Sequence, residues 1–294
     1  MKKSKVHFIK EVSSDAVIKV IEATGKKLHG NIAIKLHSGE DGNQNYLTPV
    51  FWEKAINKIN GTVVECNTAY AGERNTTEKH LKLIRKHEWD KYFKFDLMDA
   101  TGPDLVLPVK NGKHLKENYV GKNMANYDGM IVLSHFKGHP MGGYGGALKQ
   151  LSIGCASSEG KSYIHSAGTN KNQYTLWNNL PSQNAFLESM AEAASSVVDY
   201  FKGNMLFVNV MANMSVDCDC CAVAEDPCLK DIGVLASTDP VAIDRACVDL
   251  VKKSTDPGKE HFLERVLSRN GEHTIDVADA LGFGTKEYEL IEIK

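Results

Sequence analysis

Two histidines, two lysines and five glycines fall within Ser134-His-Phe-Lys-Gly-His-Pro-Met-Gly-Gly-Tyr-Gly-Gly-Ala-Leu-Lys149, and a further histidine follows at His165. No core strand needs that set. His139, Lys149 and His165 stand in an H-x9-K-x15-H spacing. A histidine titrating near neutral pH suits reversible proton transfer, and a lysine beside a Gly-rich turn can approach a phosphate or form a covalent adduct. These three are the catalytic candidates. Gly142, Gly143, Gly145 and Gly146 expose backbone N–H groups ahead of a helix starting near Ala147, a geometry that suits a small anionic ligand. The pattern is neither a Walker P-loop nor a G-x-G-x-x-G in the first βαβ unit, so nucleotide binding by those routes is disfavoured.

Thiols form a second constellation. Cys218-Asp-Cys-Cys221 and Cys228 sit in one loop after a strand. Thiolates select iron–sulfur clusters, zinc or copper(I), and the spacing differs from the bacterial ferredoxin run. Adjacent thiols on an extended chain point apart, so the four need not share one metal. The flanking Asp217 and Asp219 are placed to orient ligands or tune their charge. Cys66 and Cys247, each in an apolar element, read as core.

The elements that must position these groups alternate. Val6-Ile9, a helix from Ser13 to Leu28, Asn31-Leu36, a helix after Pro49 and Thr62-Cys66 read as βαβαβ. A helix capped at Thr76 runs to His87, and an irregular stretch rich in Gly, Pro and Lys continues to Tyr119. Tyr127-Leu133 is a buried strand opening into the Gly-rich turn. Gln183-Phe201 has helical spacing, Met205-Val210 and Ile232-Ala236 are strands, and Pro240 begins a helix capped by Asp239. A strand-like Tyr288-Ile293 ends the chain. The expectation is an α/β fold with mostly parallel sheet flanked by helices in Rossmann-like layers. With parallel strands, the loops His37-Tyr46 and Asn67-Arg74 line one crevice with the Gly-rich turn. There Arg74 clamps a carboxylate or phosphate and Glu40 serves as base or ligand.

The motifs His135-Phe-Lys-Gly-His139, Gly143-Tyr-Gly-Gly-Ala-Leu-Lys149 and Ile153-Gly-Cys-Ala-Ser157, with Gly160-Lys161 and His165, resemble the signature of domain-of-unknown-function family 362, described as uncharacterised Fe–S centre proteins. The resemblance continues through Ile34-Lys-Leu-His-Ser-Gly-Glu40, Asn67-Thr-Ala-Tyr70 with Arg74, Asp217-Cys-Asp-Cys220 and Asp239-Pro-Val-Ala-Ile-Asp244. It implies one family domain over 1–294, and the stretch Gly102 to Asn118 offers the alternative of sub-lobes 1–110 and 119–294 around a cleft. Cys155, Cys218 and Cys220 fall on its motif positions, and the leading expectation is a [4Fe–4S] cluster held by these three, with Cys221 and Cys228, outside those positions, as further candidate ligands, and redox chemistry on a bound ligand. Many relatives carry a ferredoxin-like insertion after His165, and here Ser166-Ala-Gly-Thr-Asn-Lys-Asn-Gln-Tyr174 has no cysteine. The histidine and lysine spacing also resembles that of nickel-pincer lactate racemases. That implies Lys149 as cofactor anchor, His165 as nickel ligand and His139 as acid/base in an isomerase or transferase. A third expectation is a non-catalytic metal-binding or electron-transfer protein that docks on a redox partner.

At 294 residues, 42% hydrophobic, the chain can bury a sizeable core. A net charge of −2 with dispersed basic residues argues against nucleic acid or an anionic membrane as the main partner. Val6 to Lys10 is too short for a signal peptide core, and no later stretch reads as a membrane span. Seven cysteines, most of them in one loop, suit a reducing cytoplasm, and that of an anaerobe if a cluster is present.

Overall fold

The computed structural model describes residues 3–294. Its strands are β1 (Ser4–Ile9), β2 (Ile32–Lys35), β3 (Thr62–Glu65), β4 (Phe95–Leu97), β5 (Leu105–Pro108), β6 (Glu117–Val120), β7 (Gly129–His135), β8 (Lys137–His139), β9 (Gly143–Gly145), β10 (Met205–Met211), β11 (Gly233–Ser237) and β12 (Tyr288–Glu292). The α-helices are α1 (Ser14–Ala23), α2 (Pro49–Ile59), α3 (Thr77–Lys86), α4 (Trp89–Tyr92), α5 (Ala147–Ser152), α6 (Ser158–His165), α7 (Gln183–Phe201), α8 (Pro240–Lys253), α9 (Lys259–Ser268) and α10 (His273–Leu281). Eight strands form one sheet in the order β12-β1-β11-β10-β7-β2-β3-β4, with β11 alone running against the rest. The expected mostly parallel α/β architecture is what the chain adopts.

Period-two alternation sorts the strand residues between two helical layers. Ile34, Ile131, Leu133, Leu206 and Val208 face α1 and α2 around the buried Trp52. Ala33, Met130, Val132, Met205 and Phe207 face α5, α7 and α8. Because both faces are covered, β7 and β10 are buried along their whole length.

Helix ends explain where expectation and structure part. The first helix stops at Ala23 rather than Leu28, because Thr24 Oγ1 donates to Ile21 O and Gly25 follows with φ +66°. Thr76 and Asp239 cap α3 and α8 as expected, Asp239 accepting from Val241 N and Ala242 N at 2.9 and 3.0 Å. The stretch before Tyr119 is not irregular. It holds β4 and the hairpin β5-β6, which is tied to α7 through N–H groups of Lys113, His114 and Leu115 donating to the buried Glu192 carboxylate. Among the described residues, no helix is long and apolar enough to cross a membrane.

Candidate functional site

The adjacent parallel strands β3, β2 and β7 all end on one side of the sheet, and a cavity of about 220 Å³ opens beyond them. His37 follows β2, Tyr70 and Arg74 follow β3, and His139 closes β8 just after β7. Lys149 of α5, His165 of α6 and Cys220 complete the wall. The crevice of three strand-end loops is thus assembled, as expected of an open α/β sheet.

His139 and His165 present opposite ring nitrogens. His139 Nδ1 accepts the N–H groups of Gly142 at 2.8 Å and Met141 at 3.1 Å, so its proton resides on Nε2, which lies 3.8 Å from Cys220 Sγ. Burial, and then the Lys149 charge, pull His139 down to about 4. His165 is arranged in reverse. Its Nδ1 faces Lys161 O at 2.7 Å, one turn earlier on α6, and donates there, which leaves the Nε2 lone pair without a partner among the described residues. Phe186 stacks on the ring at 5.0 Å between centroids, and burial lowers His165 to about 4. Both rings are therefore neutral at pH 7, one offering an N–H and the other a lone pair.

Cys218 and Cys220 join His139 in the one group of metal-ligand type among the described residues, their ligand atoms all within 4.8 Å of one another. Lys149 Nζ is 3.7 Å from Cys218 Sγ. Burial raises the Cys218 thiol, and at Cys220 the bond with Cys218, the largest single influence, lowers the thiol but is outweighed by donation to Cys221 together with burial, so that it too is raised. Cys155 is not part of this group. Gly154 faces the cavity, and the next residue turns into the core, where Cys155 Sγ lies 3.9 Å from Met130 Sδ and burial pushes its thiol up to about 11. Cys221 is half-buried outside the group, its thiol lowered by the hydrogen bond to Cys220, and Cys228 Sγ donates to Met214 O at 3.5 Å. A cluster on Cys155, Cys218 and Cys220 does not fit this arrangement, because the three thiols do not converge.

The Gly-rich turn also differs from expectation. The first N–H groups of α5 are already taken by an anion of the protein itself. Asp244 of α8 accepts from Ala147 N at 2.8 Å and Leu148 N at 2.9 Å, and Asn209 and Tyr144 complete its shell. Burial still raises its carboxyl to about 6. Gly145 and Gly146 line the cavity, whereas Gly142 and Gly143 do not. Gly142 supports His139, and Gly143, at φ +80°, packs against Gly271. A Cβ on Gly146 would stand 2.5 Å from Asp244 Oδ1. Gly146→Ala is therefore expected to cost about 1–3 kcal/mol by displacing this cap, read as a lower urea midpoint with unchanged m-value.

Glu40 and Arg74 face each other. Arg74 Nε is 3.2 Å from Glu40 Oε2, and its Nη2 donates to Tyr70 OH at 2.7 Å. Glu40 is thus the buried counter-ion of Arg74 rather than a cavity base, and the guanidinium fork is largely occupied. Asp219 is likewise committed, to His135 Nδ1 at 2.9 Å and Lys137 Nζ at 3.0 Å. Burial opposes its ionisation, but those two partners outweigh it and hold the carboxyl well below its usual range. Lys35 and Lys161, which reading by type and spacing passed over as site residues, also line the cavity. The signal was a lysine inside the apolar run Ile32-Ala-Ile-Lys-Leu36.

No curated protein matches the sequence. Among solved structures, the lactate racemase apoprotein of Thermoanaerobacterium thermosaccharolyticum is similar at 16% identity and a TM-score of 0.49, over 83% of this chain and 56% of that one. A protein of Thermotoga maritima is similar at 11% identity and a TM-score of 0.43, over 91% of this chain and 58% of that one. The chain thus spans somewhat more than half the length of each. The residues that line the cavity, from Lys35 to Cys220, fall inside a match over 32–249 to the family described as Domain of unknown function (DUF362), and the chain belongs to that family.

Proposed function

We propose that the chain is an enzyme that moves protons on a small anionic substrate held in this cavity, as an isomerase or transferase. The observation that supports this reading is the pairing of two neutral imidazoles with opposite tautomers on one cationic wall. His139 supplies a proton from Nε2, and His165 accepts one at Nε2. The backbone hydrogen bonds at the two Nδ1 atoms hold each ring in its role. Among the described residues Lys149 has no carboxylate within 4.0 Å, and it is the group best placed to anchor a cofactor or substrate covalently. A lysine-anchored nickel-pincer cofactor fits the donor set as an alternative use of that lone pair, with the Lys149 amine for attachment and His165 Nε2 for the metal, in which case His139 alone would handle protons. When bound, it would supply an electron-accepting centre.

The tautomers provide the direct test. Nitrogen-15 NMR of the histidine rings is expected to show His139 protonated at Nε2 and His165 at Nδ1 at pH 7, and the same tautomer on both would end the acid–base reading. Proton exchange into small 2-hydroxy carboxylates in D2O is expected to fall about 100-fold or more in His139→Gln and His165→Gln. A second reading rests on the His139, Cys218 and Cys220 group: a soft metal ion bound chiefly by the two thiols. His139 is the weaker donor there, because its Nδ1 faces two N–H groups rather than the acceptor a metal-bound imidazole needs. Elemental analysis of protein purified without oxygen, beside Cys218→Ala/Cys220→Ala, decides it.

A further inference from the structure

Charge is distributed unevenly around the cavity. Five cations line it, Lys35, Arg74, Lys137, Lys149 and Lys161, in a chain of net charge −2. Three carboxylates answer them: Glu40 pairs with Arg74, Asp219 with Lys137, and Glu65 lies between Arg74 and Lys35. Asp99 and Asp104 open onto a separate surface depression. Two positive charges therefore remain uncompensated. They belong to lysines, since among the described residues Lys35, Lys149 and Lys161 have no carboxylate within 4.0 Å.

Lys35 and Lys161 are the more telling pair. They are only 1% and 6% exposed, and each ammonium is bonded solely to a main-chain oxygen, that of Leu36 and that of Ala156. Burial, and to a smaller extent the Lys161 charge, pull Lys35 down despite the Glu65 charge, and both lysines act on the Cys155 thiol beside them. Glu65 answers Lys35 only in part and Asp104 reaches Lys161 from the neighbouring depression, and buried cations so thinly balanced are costly unless a ligand supplies more charge. His139 and Cys220 lie together in another part of the cavity, 3.8 Å apart and with Lys149 3.7 Å from the neighbouring Cys218, whereas Lys35 and Lys161 lie at the Gly154–Ala156 turn. The cavity thus has a charged end and a reactive end.

We propose that the Lys35–Lys161 end is a binding site for a phosphate dianion, the phosphoryl group of a phosphomonoester whose other end reaches His139 and Cys220. A phosphomonoester carries close to two charges at pH 7, the size of the excess around the whole cavity, to which Lys149 also contributes. Ammonium groups are point charges with radiating donors and suit a tetrahedral anion. The planar fork that favours a carboxylate, that of Arg74, is occupied by Glu40 and Tyr70. The proposal shares a cavity with the acid–base reading but not its groups, so histidine tautomers and phosphate binding succeed or fail separately.

Calorimetric titration of the full chain with inorganic phosphate at pH 7.5 and constant ionic strength tests it, with succinate and lactate as comparison anions. Phosphate is expected to bind at least about tenfold tighter than either. Lys35→Met and Lys161→Met should each weaken it about tenfold, while Lys202→Met on the surface leaves it unchanged. Should a lysine variant not fold, phosphate protection of Lys161 from acetylation in the wild type, read by peptide mass, supports the site, and absence of protection counts against it. Native mass before and after dialysis separates the two sources of phosphate. A free ligand leaves, and a phosphorylated group attached to the chain stays and releases phosphate on acid hydrolysis. No phosphate by either route, equal binding of succinate, or full binding in both lysine variants would overturn the proposal.

Discussion

Replacing Asp219 with alanine is expected to remove about 3–5 kcal/mol of folding stability, the usual result of breaking a buried ion pair from one side. Asp219 is 2% exposed and anchors both His135, at the end of β7, and Lys137, at the start of β8. Without the carboxylate, the Lys137 ammonium stays buried with no counter-charge. Asp219→Asn keeps the shape and loses the charge, so it should recover only part of the loss. Glu292→Ala, at the exposed Lys10–Glu292 pair, should produce little measurable change. Urea unfolding of the three variants measures the contrast, and a small effect at Asp219 would show that the pair contributes as little as a surface one. The consequence reaches the cavity, since the segment it secures carries His139.

Acid is expected to unfold the protein earlier than its carboxylates alone would dictate. His139 and His165 each titrate at about 4 in the folded chain against 6.5 in a free imidazole. Between those values the unfolded chain binds protons that the folded chain refuses, so stability falls as pH falls and the loss is complete once pH passes below the folded value. A difference of about 2.5 units corresponds to about 3 kcal/mol for each ring. Stability measured by urea between pH 7 and pH 4 should thus drop steeply in the wild type, and the slope should shrink in His139→Gln and again in the double variant with His165→Gln. An unchanged slope would mean that the rings are not buried as neutral groups.

Much of the scaffold was legible because it follows local rules. α7 occupies Gln183–Phe201, the range its helical spacing predicted, since a long amphipathic pattern with a Ser182 cap is informative over many residues. Thr76 and Asp239 cap their helices through their own side chains. The β5-β6 hairpin was not legible, because Pro108, Lys110 and Gly112 disrupt its alternation and what holds it is Glu192, far along the chain on α7. The reversed direction of β11 was equally hidden, since direction depends on the connection and not on the strand's composition.

For the site, residue types and spacing alone identified His139, Lys149 and His165 as groups worth attention, and all three do line one cavity. That much a sequence determines, because a Gly-rich turn after a buried strand constrains where its neighbours go. Only the tertiary structure decided what each group faces. It removed Cys155 from the thiol pair, gave Glu40 to Arg74, and filled the α5 N-terminus with Asp244 from a helix almost one hundred residues later. It also chose opposite tautomers for two histidines of identical chemistry, through a turn N–H on one and a helix carbonyl on the other. Counter-charges and hydrogen-bond partners act over a few ångströms of space regardless of chain separation, so they become readable only once distant segments have been brought together.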